Sequence, residues 1–404
     1  MAEQVSSLRT GVKWKDTPIG KIPVDWEVVR LVDLCSISSG GALDYSKDVN
    51  AKPYPVYGSN GMLGSSDTYN FSDGFVIGRV GASGTIQVIS FPVWASDNTL
   101  LLTITDSSAI KWFLYYYLQK CNLPALAMKT AQPLLTQQVL KLVLIAKPGI
   151  HEQERIAEIL RTVDEEVDKT AQVIEKTREI KRGLMQQLLT RGIGHQRFKK
   201  SPIGEIPEEW ELVRLKDVAR HFLNGGTPDT KNKNYWDGNI PWITGADFED
   251  QRIRQVRRYV TAEGVRNSAT NVISKGNLLV VTRTGVGKVA IAPSDIAISQ
   301  DIAGVLLDSE KASTRYIYWH LGHIANRLRT MIQGTSINGL LREDIESLAI
   351  PLPDLSEQKE IADILFSSDD EIEKETDHKR QLESLKQGLM QLLLTGKVRV
   401  SISS

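Results

Sequence analysis

The chain has 404 residues, 41% of them hydrophobic and 24% charged, and no formal net charge at pH 7. At roughly 100–200 residues per domain this means two to four domains with ample core, and it excludes wholesale disorder and a disulfide scaffold. No stretch reaches the ~20 apolar residues of a membrane span: Val139–Ala146 is broken by Lys141 and followed by Pro148. The N-terminus, MAEQVSSLRT, lacks the apolar core of a signal peptide. Cys35 and Cys121 lack metal-ligand spacing and read as reduced thiols of a cytoplasmic protein.

The chain is built twice. Pro18–Asp33 (PIGKIPVDWEVVRLVD) and Pro202–Asp217 (PIGEIPEEWELVRLKD) are identical at 11 of 16 positions, at an offset of 184. Further on, Glu152-Gln153, Ile156-Ala157 and Ile159-Leu160 match Glu357-Gln358, Ile361-Ala362 and Ile364-Leu365 at an offset of 205. Lys181–Thr190 (KRGLMQQLLT) then matches Lys386–Thr395 (KQGLMQLLLT) at eight of ten positions. The frame repeats, while the interior of the second copy is 21 residues longer.

Between those landmarks each copy runs from a Gly- and β-rich region to a long helix. The first copy predicts strands over Phe75–Ile77, Thr85–Ile89 and Leu100–Ile104, then a helix over Ile110–Lys120. The second predicts strands over Asn277–Thr282, Val289–Ile291 and Ile302–Leu307, then a helix over Thr314–Met331. Lys147-Pro148 and Pro351–Pro353 stop local structure in each copy. A helix of about 40 residues follows each stop, ~60 Å long at 1.5 Å per residue. The first carries a heptad stripe from Ile156 through Leu160, Val163, Val167, Thr170, Ile174, Thr177, Lys181 and Leu184 to Leu188. The second keeps Ile361, Leu365, Ile372, Leu382, Leu389 and Leu393, and Lys379 interrupts it as Thr170 and Lys181 interrupt the first. Neither stripe can stay in water, and burying one against the other is the simplest solution. Gly183 and Gly388 sit alike in the two helices, which leaves two readings open: a close backbone approach or a tolerated bend.

The expected fold is therefore α+β: two β-rich domains separated by two long helices in an antiparallel coiled coil, with a pseudo-twofold repeat. The expected divisions are a first β-rich domain over 1–150, a central helical spacer over 151–195, a second β-rich domain over 196–355 and a C-terminal helical spacer over 356–404.

Catalytic signatures fail when tested. Gly285-Val286-Gly287-Lys288 resembles the end of a phosphate loop, but Thr282 stands where its first glycine belongs and Val289 where Ser or Thr would hold magnesium. His151-Glu152 begins like a zinc-protease helix, but position 155 is Arg155. Asp354, Glu357 and Lys359 imitate a nuclease motif at a helix start, where the carboxylates cannot come from two neighbouring strands. The Asn/Asp-Pro-Pro-Tyr/Phe signature of amino-methyltransferases is absent.

What the chain does carry is segregated charge. Gln251–Lys288 has a local balance of +7 through Arg252, Arg254, Arg257, Arg258, Arg266, Lys275, Arg283 and Lys288. Lys52–Lys147 has +3, while both long helices start acidic. A neutral protein with basic β-rich regions suits one whose globular domains meet phosphate while its rods do not; a solvated basic face is the bland alternative. Arg79 and Arg283 follow strands within Gly78-Arg79-Val80-Gly81 and Thr282-Arg283-Thr284-Gly285, where an arginine with a glycine within two residues can reach guanine or phosphate. The candidate DNA contacts are Tyr57, Ser59, Asn60, Arg79, Ser83 and Lys129 in the first copy, and Thr227, Thr244, Arg283, Thr284, Lys288, Ser336 and Asn338 in the second. Turn chemistry accounts for the same residue types.

The paired Ile-Pro-x-x-Trp-x-x-x-Arg-Leu segments, the Glu-Gln-x-x-Ile-Ala-x-Ile-Leu helix starts and the Gly-Leu-Met-Gln-x-Leu-Leu-Thr helix ends resemble the specificity subunit of type I restriction-modification systems. The resemblance covers almost the whole chain. It implies two target-recognition domains, each reading half of a split double-stranded DNA site, and helices that space them. It implies no catalysis and no cofactor on this chain, and no membrane. Two modification subunits would bring S-adenosylmethionine and methylate adenine; restriction (translocase) subunits would bring ATP and magnesium. Interiors of different length imply an asymmetric target. Two rival readings are a coiled-coil adaptor holding two protein-binding heads, against which the basic segment speaks, and a fragment of a fused restriction enzyme, against which the start at Met1 and the complete second helix speak.

Overall fold

The repeated segments fold alike. In the computed structural model, residues 8–9, 13–128, 133–249, 251–332 and 339–400 are described. The chain divides into two compact units: Met1–Gln172 with Thr376–Ser404, and Val173–Glu375. Both divisions fall inside the long helices, so each unit holds the start of one and the end of the other.

In the first unit, Trp14–Thr17 and Gly20–Pro23 form a hairpin, and Glu27–Arg30 then pairs antiparallel with Leu144–Lys147 just ahead of the long helix. The main sheet has four strands: Cys35–Ser39 (β1), Gly74–Gly78 (β2), Ile86–Ile89 (β3) and Thr99–Ile104 (β4), in the order β1-β4-β2-β3, all antiparallel. A smaller sheet sets Trp94–Ala95 parallel to Tyr54–Gly58, which pairs with Gly61–Ser66. Helix Lys111–Lys120 (α1) buries Phe113, Tyr116 and Tyr117 in a core shared with Trp26, Leu31 and Phe75. Ile156 and Leu160, from the start of helix Ile150–Arg191 (α2), complete that core, as do Leu393, the last residue of the other long helix, and Leu394 just past it.

The second unit repeats the plan. Phe198–Ser201 and Gly204–Pro207 form the hairpin, and Glu211–Arg214 pairs with Ala349–Leu352. Strands Ala219–Asn224 (β5), Leu278–Val281 (β6), Val289–Ile291 (β7) and Ile302–Leu307 (β8) adopt the same order, β5-β8-β6-β7. The smaller sheet is enlarged, with Trp236–Ile243, Ile296–Ile298, Arg258–Val260 and Asn271–Ile273. The helix expected over Thr314–Met331 is two: Thr314–His323 (α3) and Ala325–Ile332, broken at Ile324 just after Gly322. Helix Leu355–Leu393 (α4) contributes Ile361 and Leu365 to a core with Trp210, Leu215 and Tyr316, and Leu188 of α2 joins them.

The Glu-Gln signature has a physical reason. The buried Gln153 accepts the Ile110 N–H at 2.9 Å at the start of α1 and donates to the carbonyls of Ser108 and Pro148. Gln358 does the same for Ser313, Lys311 and Pro353. Each glutamine ties a short helix and its proline stop to the long helix, satisfying backbone groups that the core would otherwise strand.

The glutamates accept the indole N–H of Trp26 and of Trp210, each at 3.0 Å. A cation closes each seat. In the first unit it is Arg399, which bonds both oxygens of Glu152 at 2.6 and 2.7 Å and forks onto Asp25. In the second it is His195, between Glu357 at 3.0 Å and Glu209 at 3.1 Å. The chain reaches these seats through left-handed glycines past the helix ends, Gly192 (φ 66°) and Gly396 (φ 71°). A Cβ on Gly192 would lie 2.4 Å from Glu357, and on Gly396 2.4 Å from Pro23.

Within each unit the two helix segments run antiparallel. In the first, Asp164 of α2 pairs with Lys386 of α4 at 2.6 Å, while Glu152, earlier in α2, meets Arg399, later than α4. In the second, Lys181 pairs with Asp369, while the Ile193 N–H reaches Glu357 at 2.9 Å. The interruption of the stripe at Lys181 is thus an ion pair. Gly183 and Gly388 face open space, with no atom within 4 Å of an added Cβ, so the close backbone approach is not found.

Candidate nucleic-acid interface

In the first unit three loops converge at the ends of β2 and β4. The turn after Tyr54–Gly58 carries Ser59, half-buried, whose hydroxyl donates to the Asn98 carbonyl at 2.5 Å, and Asn60, exposed at the tip. Thr85 donates its hydroxyl back to Ser59. Arg79 leaves β2 with its N–H on the Asn98 carbonyl at 2.9 Å and its own carbonyl accepting from Leu135 at 2.9 Å and from the buried Ser83 hydroxyl at 3.4 Å. Its backbone is therefore fixed on both sides, while its guanidinium has no partner among the described residues. Tyr57 is half-buried in its strand and packs on the cluster around Phe71, Val76 and Val93.

The second unit gathers the same kinds of loop. Gly225 N–H bonds the Ile302 carbonyl at 3.2 Å and Gly226 N–H the Ile298 carbonyl at 3.0 Å, matching Gly40 on Thr99 at 3.1 Å and Gly41 on Ala95 at 2.9 Å in the first. Thr227, exposed, donates to Gln300. Thr282 N–H bonds the Asp301 carbonyl at 2.7 Å and its own carbonyl accepts from Leu340 at 2.7 Å. Arg283 and Thr284 follow, both exposed, and the Arg283 side chain also has no partner among the described residues.

The other candidates are spent internally. Thr244 caps the turn Gly245–Asp247, donating to Asp247 at 2.9 Å. Lys288 is half-buried with its ammonium on the carbonyls of Gly245 and Phe248, at 3.2 and 3.0 Å. Lys129, Ser336 and Asn338 lie outside the described residues.

Three cations of the basic run over Gln251–Lys288 are paired with acids. Arg252 pairs with Glu373 and lies 3.6 Å from Asp369, and Arg254 lies 3.8 Å from Glu373. Arg257 bonds the buried Asp247 at 2.6 Å. Burial pushes the Asp247 pKa up, but the Arg257 and Thr244 bonds outweigh it and hold the carboxyl below its usual range. Arg258 stacks over Trp236 at 4.9 Å. Among the described residues Arg258, Arg266, Lys275 and Arg283 of that run keep a cationic head without an acidic or carbonyl partner, and of these Arg258 alone is stacked on an aromatic ring. Sequence reading missed the segments that gather the loops, Ser96–Asn98 and Ser299–Asp301. Their signal was a serine in matching places ahead of β4 and β8.

Among the described residues no helix is long and apolar enough to cross a membrane. The family model described as "Type I restriction modification DNA specificity domain" matches the chain twice, over residues 23–178 and 207–384. The MjaX specificity subunit of a type I restriction enzyme from Methanocaldococcus jannaschii is 30% identical, over 96% of this chain and 97% of that protein. The MjaVIII specificity subunit of the same organism is 26% identical, over 94% of each. The fold is like that of the type I restriction-modification S subunit from M. genitalium, with a TM-score of 0.65 at 15% identity, over 95% of this chain and 99% of that one. These likenesses favour a DNA-specificity role over a protein-binding adaptor. A twice-built frame, two sheets of one topology and two matched domains place the chain in the type I restriction-modification specificity subunit family.

Proposed function

We propose that this chain is the non-catalytic reader of a type I restriction-modification complex in the cytoplasm. Each β-rich domain reads one half of a bipartite, asymmetric double-stranded DNA target. The two long helices set the unspecified spacer and dock two modification subunits, which supply S-adenosylmethionine and methylate adenine. Restriction subunits add ATP- and magnesium-dependent translocation and cutting. The observation that carries this reading is the pair Arg79 and Arg283. They stand in matching loops of two readers on one frame: the Arg79 backbone is itself fixed on both sides, Arg283 directly follows Thr282, whose backbone is fixed in the same way, and both guanidiniums are unengaged. Such a group suits a bidentate base contact or a phosphate contact.

The test has two arms. The purified chain should neither bind S-adenosylmethionine nor methylate DNA, and methylation should appear on adding the modification subunit. In that complex, Arg283→Ala should weaken one half-site only. The cost is ~1–3 kcal/mol with relaxed specificity if it contacts a base, or a salt slope shallower by about one if it contacts phosphate. Methyl transfer by the chain alone overturns the non-catalytic reading. Unchanged affinity and salt slope make Arg283 a turn residue.

A further inference from the structure

We propose that two Asp–Lys clasps position the readers: Asp164–Lys386 beside Tyr116, and Asp369–Lys181 beside Trp319. Their placement carries the argument. Each ion pair joins the two antiparallel helix segments of its unit, and an aromatic side chain from the reader's own helix covers the lysine. Lys386 Nζ lies 5.3 Å from the centre of the Tyr116 ring and Lys181 Nζ 4.7 Å from that of Trp319. The Tyr116 hydroxyl also donates to Asp164 at 2.7 Å. Both aromatics are buried, and the Lys386 and Asp164 side chains are only 19% and 28% exposed. Each clasp therefore touches three elements at once: reader helix, one long helix and the other.

The pairs obey the 205-residue repeat, although Tyr116 and Trp319 belong to readers of different sequence. Of the registers a heptad apart, only this one pairs all four charges. Sliding either segment by a heptad would set Lys181 against Ala362 or Thr376, Lys386 against Ala157 or Ala171, and Asp369 against Ile174 or Leu188, while Asp164 would meet Leu393 in one shift and another cation, Lys379, in the other. A half-buried charge facing an apolar partner is costly, which is how a polar seam position specifies register. The residues that weaken the stripe as a hydrophobic seam thus fix where the helices pair and how the reader sits on them. They are positioning residues: none reads a base. The second clasp has a further brace, because Arg252 lies 3.6 Å from Asp369.

This inference rests on the reading that the readers recognise half-sites and the helices set the spacer. Its test uses the full chain with its modification subunit and a DNA library holding both half-sites at varied spacers. Lys386→Met keeps the stem over Tyr116 and removes the charge. Methylation of sites one base pair shorter or longer should rise about tenfold relative to the native spacer, with the half-site bases unchanged. Lys386→Arg should restore the native preference. Tyr116→Phe, which only frees Asp164 from one hydrogen bond, should move the preference less and in the same direction, and it carries the test should the Met variant fold poorly. Lys181→Met, braced by Arg252, should relax the spacer less than Lys386→Met. Native spacer selectivity in both Lys386→Met and Tyr116→Phe, or altered half-site bases with a fixed spacer, overturns the clasp. A wild-type complex that methylates no bipartite site overturns the functional reading instead.

Discussion

The two units seat one glutamate each in the same way and then diverge. Glu152 and Glu357 both hold a tryptophan indole at 3.0 Å, but Arg399 closes the first seat and His195 the second. Arginine keeps its charge at any ordinary pH, whereas histidine can shed it. One frame thus carries a permanent lock and a conditional one. The second unit makes up the difference elsewhere, with Arg252 reaching from the longer interior to Glu373 and Asp369. At the matching place in the first unit an open groove of about 870 Å³ runs between Gln119, Lys120, Asp164 and Met390.

The largest expected effect comes from removing the glutamates. Glu152→Ala leaves Arg399 on Asp25 alone and strands the buried Trp26 indole, and should cost ~3–5 kcal/mol. Glu357→Ala should cost less, ~1–3 kcal/mol, because His195 can deprotonate instead of staying charged without its partner. Native-state hydrogen exchange, resolved by unit, measures both; equal losses would erase the distinction between the locks.

Next comes pH. Burial opposes the His195 imidazolium, but the bonds and charges of Glu357 and Glu209 outweigh it and raise the pKa above 6.5. A raised histidine contributes its full stability below the unfolded value near 6.5 and loses it as pH rises through the folded value. The second unit should therefore loosen as pH climbs above 6.5, while the Arg399 seat stays level. Exchange rates across that window check the sign, and His195→Arg should flatten the response.

Arg252→Ala comes third, at about 1 kcal/mol or less for a pair that is partly exposed, and it should be felt in the second unit alone. Faster exchange in the first unit would show that the brace acts beyond its own unit. The smallest effect is the one in which the units should agree. Gly183→Ala and Gly388→Ala each add a Cβ into open space, and each should raise thermal stability by up to ~1 kcal/mol. Destabilisation at either position would mean that a bend in the helix needs its glycine.

The sequence made the frame readable because the frame is local. Trp26 and Trp210, Gln153 and Gln358, and the glycine-bearing helix ends all sit in short repeated strings. The rest depends on partners far along the chain. Lys181 looks like a flaw in a stripe until Asp369, 188 residues away, stands opposite it. Arg252 looks like a phosphate contact until Glu373 is found, 121 residues on. A run of like charge says nothing of which acids the fold will bring to it. The strand Trp236–Ile243 was unreadable for a local reason: Asp237-Gly238-Asn239 and Pro241 break its alternation, and Asp237 even takes a left-handed φ of 57°. Of the candidate contacts, Arg79 and Arg283 stay unengaged because their side chains leave the strand ends beyond the last ladder bonds. Thr244 and Lys288 were drawn into their own loops by nearby carbonyls and a carboxylate, which side-chain chemistry alone does not disclose.

Leu8–Arg9 pairs antiparallel with Arg399–Val400, with Leu8 opposite Val400. Pulled by its two ends, the molecule would take the load on this ribbon first. The hydrogen bonds would break in succession, as in a zipper, and not together in shear. The force would then reach Arg399, knotted to Asp25 and Glu152, before anything in the second unit bore tension. In a force–extension trace the first unit should yield at low load and then hold at a single distinct step, and weakening Asp25 should lower that step without moving the onset.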